Sequence, residues 1–422
     1  MSTAAEASKP SLKRLAGASA IGNVLEWYDF AVYGFFAPII AAQFFPSDDP
    51  VFSLIASFGA FAAGFFMRPV GAALFGYVGD RFGRSKALFY SVMMMAVPTG
   101  LIAILPTAES WGVAAAVLMV MLRMAQGLAV GGEYTSSVVY LAEHSPAKRR
   151  ALFSAFPLNG ANVGILLASA IGAALSSMLS TEALHEWGWR AAFGFGILVA
   201  IVGLFLRRGL HDTPADLPEK SPVIVAFRDH WRGILRGFGL IVGYAAGYYM
   251  IFVYLVTWLV GTVKEPESTA LDINTIAIAS MLVLIPISAW LSDRFGRRLM
   301  LVIGYGGMVL FAYPLIWLMH HPDATLILLG QLGFAALIST FAASIPSTLV
   351  EMFPREIRVT AVGLSYNLTF ALFGGTAPMV AVWLISRTHN DHAFVWYIIG
   401  LAAISFLVAL TVKDRHGEEL EG

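Results

Sequence analysis

Apolar residues in this chain run in long blocks, each closed by a short polar or charged turn. The blocks can be drawn at roughly 17–43, 51–78, 87–106, 112–142, 151–178, 191–208, 235–262, 270–292, 299–319, 324–352, 359–386 and 393–412. A helix needs about 20 residues to cross the hydrocarbon core, and all twelve blocks qualify. The longer ones tilt or project beyond the bilayer. Membrane-spanning strands would read instead as short alternating runs. The pattern therefore predicts an all-α polytopic membrane protein with twelve transmembrane helices.

The turns repeat. Gly76-Tyr77-Val78-Gly79-Asp80-Arg81-Phe82-Gly83-Arg84 lies between the second and third blocks, and Ser292-Asp293-Arg294-Phe295-Gly296-Arg297-Arg298 lies between the eighth and ninth. A second mark, Glu143-x-x-Pro146-x-x-x-Arg150, returns as Glu351-x-x-Pro354-x-x-x-Arg358, with Asn159 and Asn367 each nine residues beyond the arginine. Ordered marks at nearly one spacing are what an internally duplicated chain shows. Two pseudo-symmetric six-helix bundles are expected, at 1–208 and 235–422. The proline-containing stretch 209–234 would be the linker between them, with Ala226 to Arg236 as a short surface helix.

Composition narrows the class. The chain is 58% hydrophobic and 13% charged, whereas soluble domains carry about a quarter charged residues. Zero net charge gives no reason to expect nucleic-acid binding. The absence of cysteine removes disulfides and thiolate chemistry. The nine histidines form no metal-ligand pattern, and no nucleophile–base pair or phosphate loop suggests an enzyme. The first sixteen residues lack the short apolar core and cleavage site of a signal peptide. With the N-terminus placed in the cytoplasm, 22 of the 27 lysines and arginines fall in inner segments and three in outer loops. That asymmetry predicts cytoplasmic termini and an inner-membrane location.

On these marks the chain resembles the major facilitator superfamily. The stretches Gly22-Asn23-Val24-Leu25-Glu26-Trp27-Tyr28-Asp29-Phe30, Met67-Arg68-Pro69-Val70-Gly71, Arg123-Met124-Ala125-Gln126-Gly127, Gly131-Gly132-Glu133-Tyr134 and Glu186-Trp187-Gly188-Trp189-Arg190 are similar to its proton-coupled metabolite symporters. That branch includes carriers of citrate, 2-oxoglutarate, shikimate and proline or betaine. The resemblance implies two bundles rocking about a mid-membrane site, a monomer embedded in lipid, protons and a small solute as partners, and no cofactor. It also implies that the Asp-Arg turns gate the inner face. The long coiled-coil tail of some osmosensing betaine carriers is missing, so osmosensing by that route is not expected.

Charged side chains at membrane depth are costly and mark pathways. Here they are Glu26 and Asp29 in span one, Arg68 in span two, and Arg123 and Glu133 in span four, all in the first half. No histidine lies mid-membrane, so the expected proton carriers are Asp29, Glu133 and Glu26. Arg123 leads for holding a carboxylate, with Arg68, Gln126, Tyr33, Asn159, Tyr248 and Asn367 as further substrate contacts. The expected gate comprises Asp80, Arg81, Arg84, Glu143 and Arg150 with Asp293, Arg294, Arg297, Glu351 and Arg358. Glycines at 127, 131 and 132 should let a neighbouring helix approach, while Pro157 and 374–378 should be weak points in their helices. The reading is proton-coupled uptake of a small organic acid or a carboxylate-bearing zwitterion. A facilitator, an exporter of the same fold and a non-transporting receptor remain the alternatives.

Overall fold

Each of the twelve apolar blocks folds as helix. The computed structural model describes residues 12–82, 84–207 and 222–420, without the side chains of 12–22, 25, 76, 79–80, 82–88, 203–207, 222–224 and 227. Among the described residues there is no β-strand, as a backbone surrounded by lipid requires. Nine described helices are long and apolar enough to cross a membrane. The other three blocks are the helices Leu12–Phe35, Arg84–Ile104 and Trp189–Arg207.

The linker differs from expectation. Helix begins at Pro222 and runs to Tyr249, with a bend at His230 (φ −126°, ψ 19°). The expected surface helix and span seven are thus one bent helix, and residues 208–221 of the expected linker lie outside the described residues.

Several spans are interrupted where the sequence suggests none. Span four is two helices, Val113–Ala129 and Glu133–His144. Span seven continues through wide π-turns at Met250–Tyr254 and Leu259–Val263. The expected weak points are real: Phe370–Gly374 is a π-turn, helix resumes at Ala377, and Pro157 opens the helix Phe156–Met178. A proline lacks the N–H that a first turn leaves unpaired anyway. The second Asp-Arg turn needs its glycine, because Gly296 takes φ 105° between the helices Glu267–Phe295 and Arg297–Met319.

In the first half span one packs on span five, two on four and three on six; in the second, seven packs on eleven and twelve, eight on ten, and nine on ten and twelve. Spans five and eight, and two and eleven, join the halves. As expected, Gly127 and Gly131 bring spans two and four into backbone contact: a methyl group there would overlap Gly64 and the Arg68–Ala72 turn. A methyl group on Gly132 would only touch Ala72 without overlap, and Gly132 precedes the second helix of span four at the break.

Candidate substrate and coupling site

Between the halves lies a small cavity lined by Trp27, Leu158, Ala161, Asn162, Ile165, Tyr244, Tyr248, Tyr366 and Phe370. Its free volume is about 10 Å³, room for one water. All nine lining side chains are buried, so the cavity is closed toward both faces.

The membrane-depth charges fall into two groups. Arg123 is fully buried and lies over the rings of Tyr33 (4.4 Å), Phe30 (4.6 Å) and Phe61 (5.7 Å). Its Nη1 donates to Gln126 Oε1 at 2.6 Å. Gln126 Nε2 donates to Thr99 Oγ1 at 2.8 Å, and Thr99 Oγ1 donates to Asp29 Oδ2 at 2.6 Å. A continuous chain of hydrogen bonds therefore joins the guanidinium to the carboxylate. The opposite edge of Arg123, Nε and Nη2, has no partner, and neither has Asp29 Oδ1. Two parallel N–H groups on one guanidinium edge match a carboxylate bidentately. Buried donors left unpaired are costly, and the shape of this edge suits a carboxylate. Tyr33 donates its hydroxyl to the Ser57 carbonyl at 3.0 Å, leaving its ring to the arginine.

Arg68 occupies the second group. Its guanidinium lies within 5.2–5.9 Å of Trp27, Phe65, Tyr366 and Phe370, and its Nε has no partner. Glu26 is buried one turn before Asp29. Glu133 is only half-buried and opens the second helix of span four, beyond the break from Arg123 and Gln126.

The second-half wall is polar but uncharged. Tyr248 donates to Asn162 Oδ1 at 2.8 Å. Asn162 thus takes the place at the cavity expected for Asn159, which reaches the Leu282 carbonyl instead at 3.4 Å. Asn367 donates to the Gly131 carbonyl at 2.8 Å, tying span eleven to the break in span four rather than facing the cavity. Tyr366 stacks on Tyr134 (4.6 Å) and Tyr249 on Trp27 (6.4 Å), so aromatic rings from both halves meet at the centre.

On the face that carries the Asp-Arg turns, the repeat marks exchange partners. Arg150 pairs with Glu351 at 2.8 Å and Arg358 with Glu143 at 2.6 Å, so each copy's arginine meets the other copy's glutamate. Arg297 joins Glu351 (3.1 Å) to Asp293 (2.8 Å). Asp293 in turn accepts from the Ala151 and Leu152 backbone at 3.0 and 2.9 Å. Two expected members are exposed: Arg294 lies over Trp290 and Phe295, and Arg81 lies against Tyr77. Both lie one residue round the helix from their aspartates, which turns them to the outside. The side chains of Asp80 and Arg84 lie outside the described residues. Toward the opposite face closure is apolar, with Phe58 edge-on to Tyr254 (6.1 Å) and Val253 against Gly34.

Thr99 and Asn162 were not anticipated. Each is a lone small polar residue in an apolar run, a pattern shared by many residues that merely bond their own helix, so its only signal is polarity at depth.

Twelve spans in two bundles around a closed, largely aromatic cavity, with buried charges at depth, define a solute carrier. The model described as "Sugar (and other) transporter" matches residues 15–222, and "Major Facilitator Superfamily" matches 266–421. The chain is 33% identical to the glycine betaine/proline/ectoine/pipecolic acid transporter OusA of Dickeya dadantii and 31% identical to the proline/betaine transporter of Escherichia coli. Both alignments cover 97% of this chain and 85% of the relative. The proton:xylose symporter XylE, bound to 6-bromo-6-deoxy-D-glucose, shares the fold with a TM-score of 0.77 at 19% identity, over 97% of each chain. The chain belongs to the major facilitator superfamily; it is an integral membrane transporter and not an enzyme.

Proposed function

We propose that the protein takes up a small carboxylate-bearing zwitterion of the betaine or proline type together with protons, by alternating access across the cytoplasmic membrane. The observation that carries this reading is the free Nε–Nη2 edge of Arg123, joined through Gln126 and Thr99 to Asp29. Arg123 takes the solute carboxylate, and the rings of Trp27, Tyr244, Tyr248 and Phe370 receive the ammonium. The named activities of the relatives favour a zwitterion over a simple organic acid.

Coupling follows from linkage. A positive charge nearby favours the ionised form of a carboxylate, and an anion on Arg123 offsets that charge, so solute and proton each favour the other's binding. Thr99 suits both states of Asp29. Its hydroxyl also lies 2.8 Å from the Met95 carbonyl. With Asp29 ionised it donates to the carboxylate; with Asp29 protonated it accepts that proton's hydrogen bond and turns its own to Met95. Gln126 keeps its bond to Thr99 throughout.

The basic face is read as cytoplasmic from its arginines. The exchanged ion pairs are its gate, with Glu351, Arg150, Arg297, Asp293, Glu143 and Arg358 in that role. The two halves swing about the centre as a monomer in lipid. The test is an imposed pH step, acid outside, across proteoliposomes holding the purified protein, with labelled glycine betaine, proline and citrate as separate solutes. Accumulation of a zwitterion above its equilibrium level is expected. Equilibration without accumulation would make the protein a facilitator, and accumulation of citrate alone would overturn the solute class.

A further inference from the structure

The rings that line the cavity already hold a cation. Trp27, Tyr366 and Phe370 belong both to the cavity wall and to the box around the Arg68 guanidinium. Phe65 completes the box at 5.3 Å, and Arg68 is 1% exposed. The box is built from both halves: Trp27 and Phe65 come from spans one and two, Tyr366 and Phe370 from span eleven. A positive group over aromatic faces within about 6 Å is attracted by the ring quadrupoles, more strongly where water is excluded. Such boxes recognise quaternary ammonium solutes, and here the protein's own side chain fills one.

We propose that Arg68 is a resident cation that sets solute selectivity by denying the box to free organic monocations. The inference rests on the zwitterion reading above and goes further, because it assigns the rejection of cations to one residue. A monocation entering the cavity meets Arg68 beside it and Arg123 beyond, and brings no negative charge to offset either. A zwitterion brings a carboxylate that pairs with the free edge of Arg123, and its ammonium lies on the outer surfaces of the shared rings. Glu26 and Asp29 lie in span one with Trp27 of the box between them, while Glu133 is half-buried at the break in span four. Specificity of this kind works by making the wrong solute costly rather than the right one tighter.

Glycine betaine and choline carry the same trimethylammonium group and differ by carboxylate against hydroxymethyl, which makes them the matched probes. Trp27 stands in the box, so quenching of tryptophan emission in the purified full chain reads occupancy. The unaltered protein should bind glycine betaine, and choline at hundredfold excess should not displace it. Arg68→Met keeps an unbranched side chain and removes the charge; choline affinity should rise at least tenfold while glycine betaine affinity changes less. Arg68→Lys keeps the charge and should keep rejecting choline. Displacement by choline in the unaltered protein overturns the proposal even if Arg68→Met fails to fold. So does Arg68→Met binding glycine betaine while still refusing choline. An unaltered protein that binds neither glycine betaine nor proline defeats the zwitterion reading itself, a separate outcome.

Discussion

The two halves answer the same structural problem with different chemistry. At the offset that relates the Glu-Pro-Arg marks, Arg123 in span four corresponds to Gln331 in span ten. Both are fully buried, but Arg123 donates to Gln126 in its own helix, whereas Gln331 donates to neighbouring spans. Gln331 Nε2 donates to Asn274 Oδ1 at 2.6 Å and to the Ile251 carbonyl at 3.2 Å, while Asn274 reaches the Phe252 carbonyl at 3.2 Å. Those carbonyls lie in the π-turn of span seven, where the helix cannot bond its own backbone in the regular way, and amides are well suited to close that gap. Arg123 keeps a permanent charge and two unpaired N–H groups. The Gln331 amide nitrogen is paired and only its Oε1 is left over, whereas Arg123 keeps two nitrogens unpaired. The duplicated fold thus keeps the position, uses it for shape in the second half and reserves it for charge in the first.

Removing the charge should have the largest effect. Arg123→Ala takes away both carboxylate bonds, and solute binding should fall below detection. Arg123→Lys keeps the charge but loses the fork, and affinity should drop about 10- to 100-fold, the worth of one charge-assisted hydrogen bond. Titration calorimetry on the two variants measures this. Unaltered affinity in both would end the contrast, since Arg123 would then be a packing residue like Gln331.

A second strain on the comparison comes from the basic face, where the halves do share charge. Glu351 holds both Arg150 and Arg297. Its replacement by Gln leaves the buried Arg150 without its counter-charge, while Arg297 keeps Asp293, at a cost of about 3 kcal/mol. That loss falls on the closed basic face alone. The chain has no cysteine, so a single Ser154→Cys, buried beside this network, reports opening by thiol labelling. The added Glu351→Gln change should speed labelling at least tenfold, and equal rates would remove the network from gating.

The smallest effect on transport is expected in the second half. Gln331→Leu frees the Ile251 carbonyl and should lower thermal stability by about 1–3 kcal/mol. Coupling should persist, because no titratable group at depth in that half depends on it. Loss of pH-driven uptake with normal folding would show that the halves share the work.

How much of this was legible follows from the same contrast. Charge in an apolar run is conspicuous, so Glu26, Asp29, Arg68 and Arg123 could be read directly, as could the exchanged glutamates and arginines through their repeated spacing. Twelve helices followed from block length alone. Thr99, Asn162 and Gln331 were not legible, because an uncharged polar residue costs little at depth when its own helix can satisfy it. The break at Gly131–Gly132 was hidden for a related reason: glycine serves close packing and chain breaks alike, and here Gly131 does both. Asn159 and Asn367 repeat faithfully, yet they bond backbone across the halves, so their recurrence records how the bundles are joined rather than what they hold.

The central claim is that the first half holds the proton as well as the solute, at Asp29. Asp29→Asn keeps the bond from Thr99 and removes the titratable group. In proteoliposomes this variant should exchange labelled for unlabelled glycine betaine at a rate within about threefold of the unaltered protein, a margin smaller than one lost hydrogen bond. Under an acid-outside pH step it should reach equilibrium and stop. Accumulation above equilibrium by Asp29→Asn would contradict the account and place proton coupling on another group.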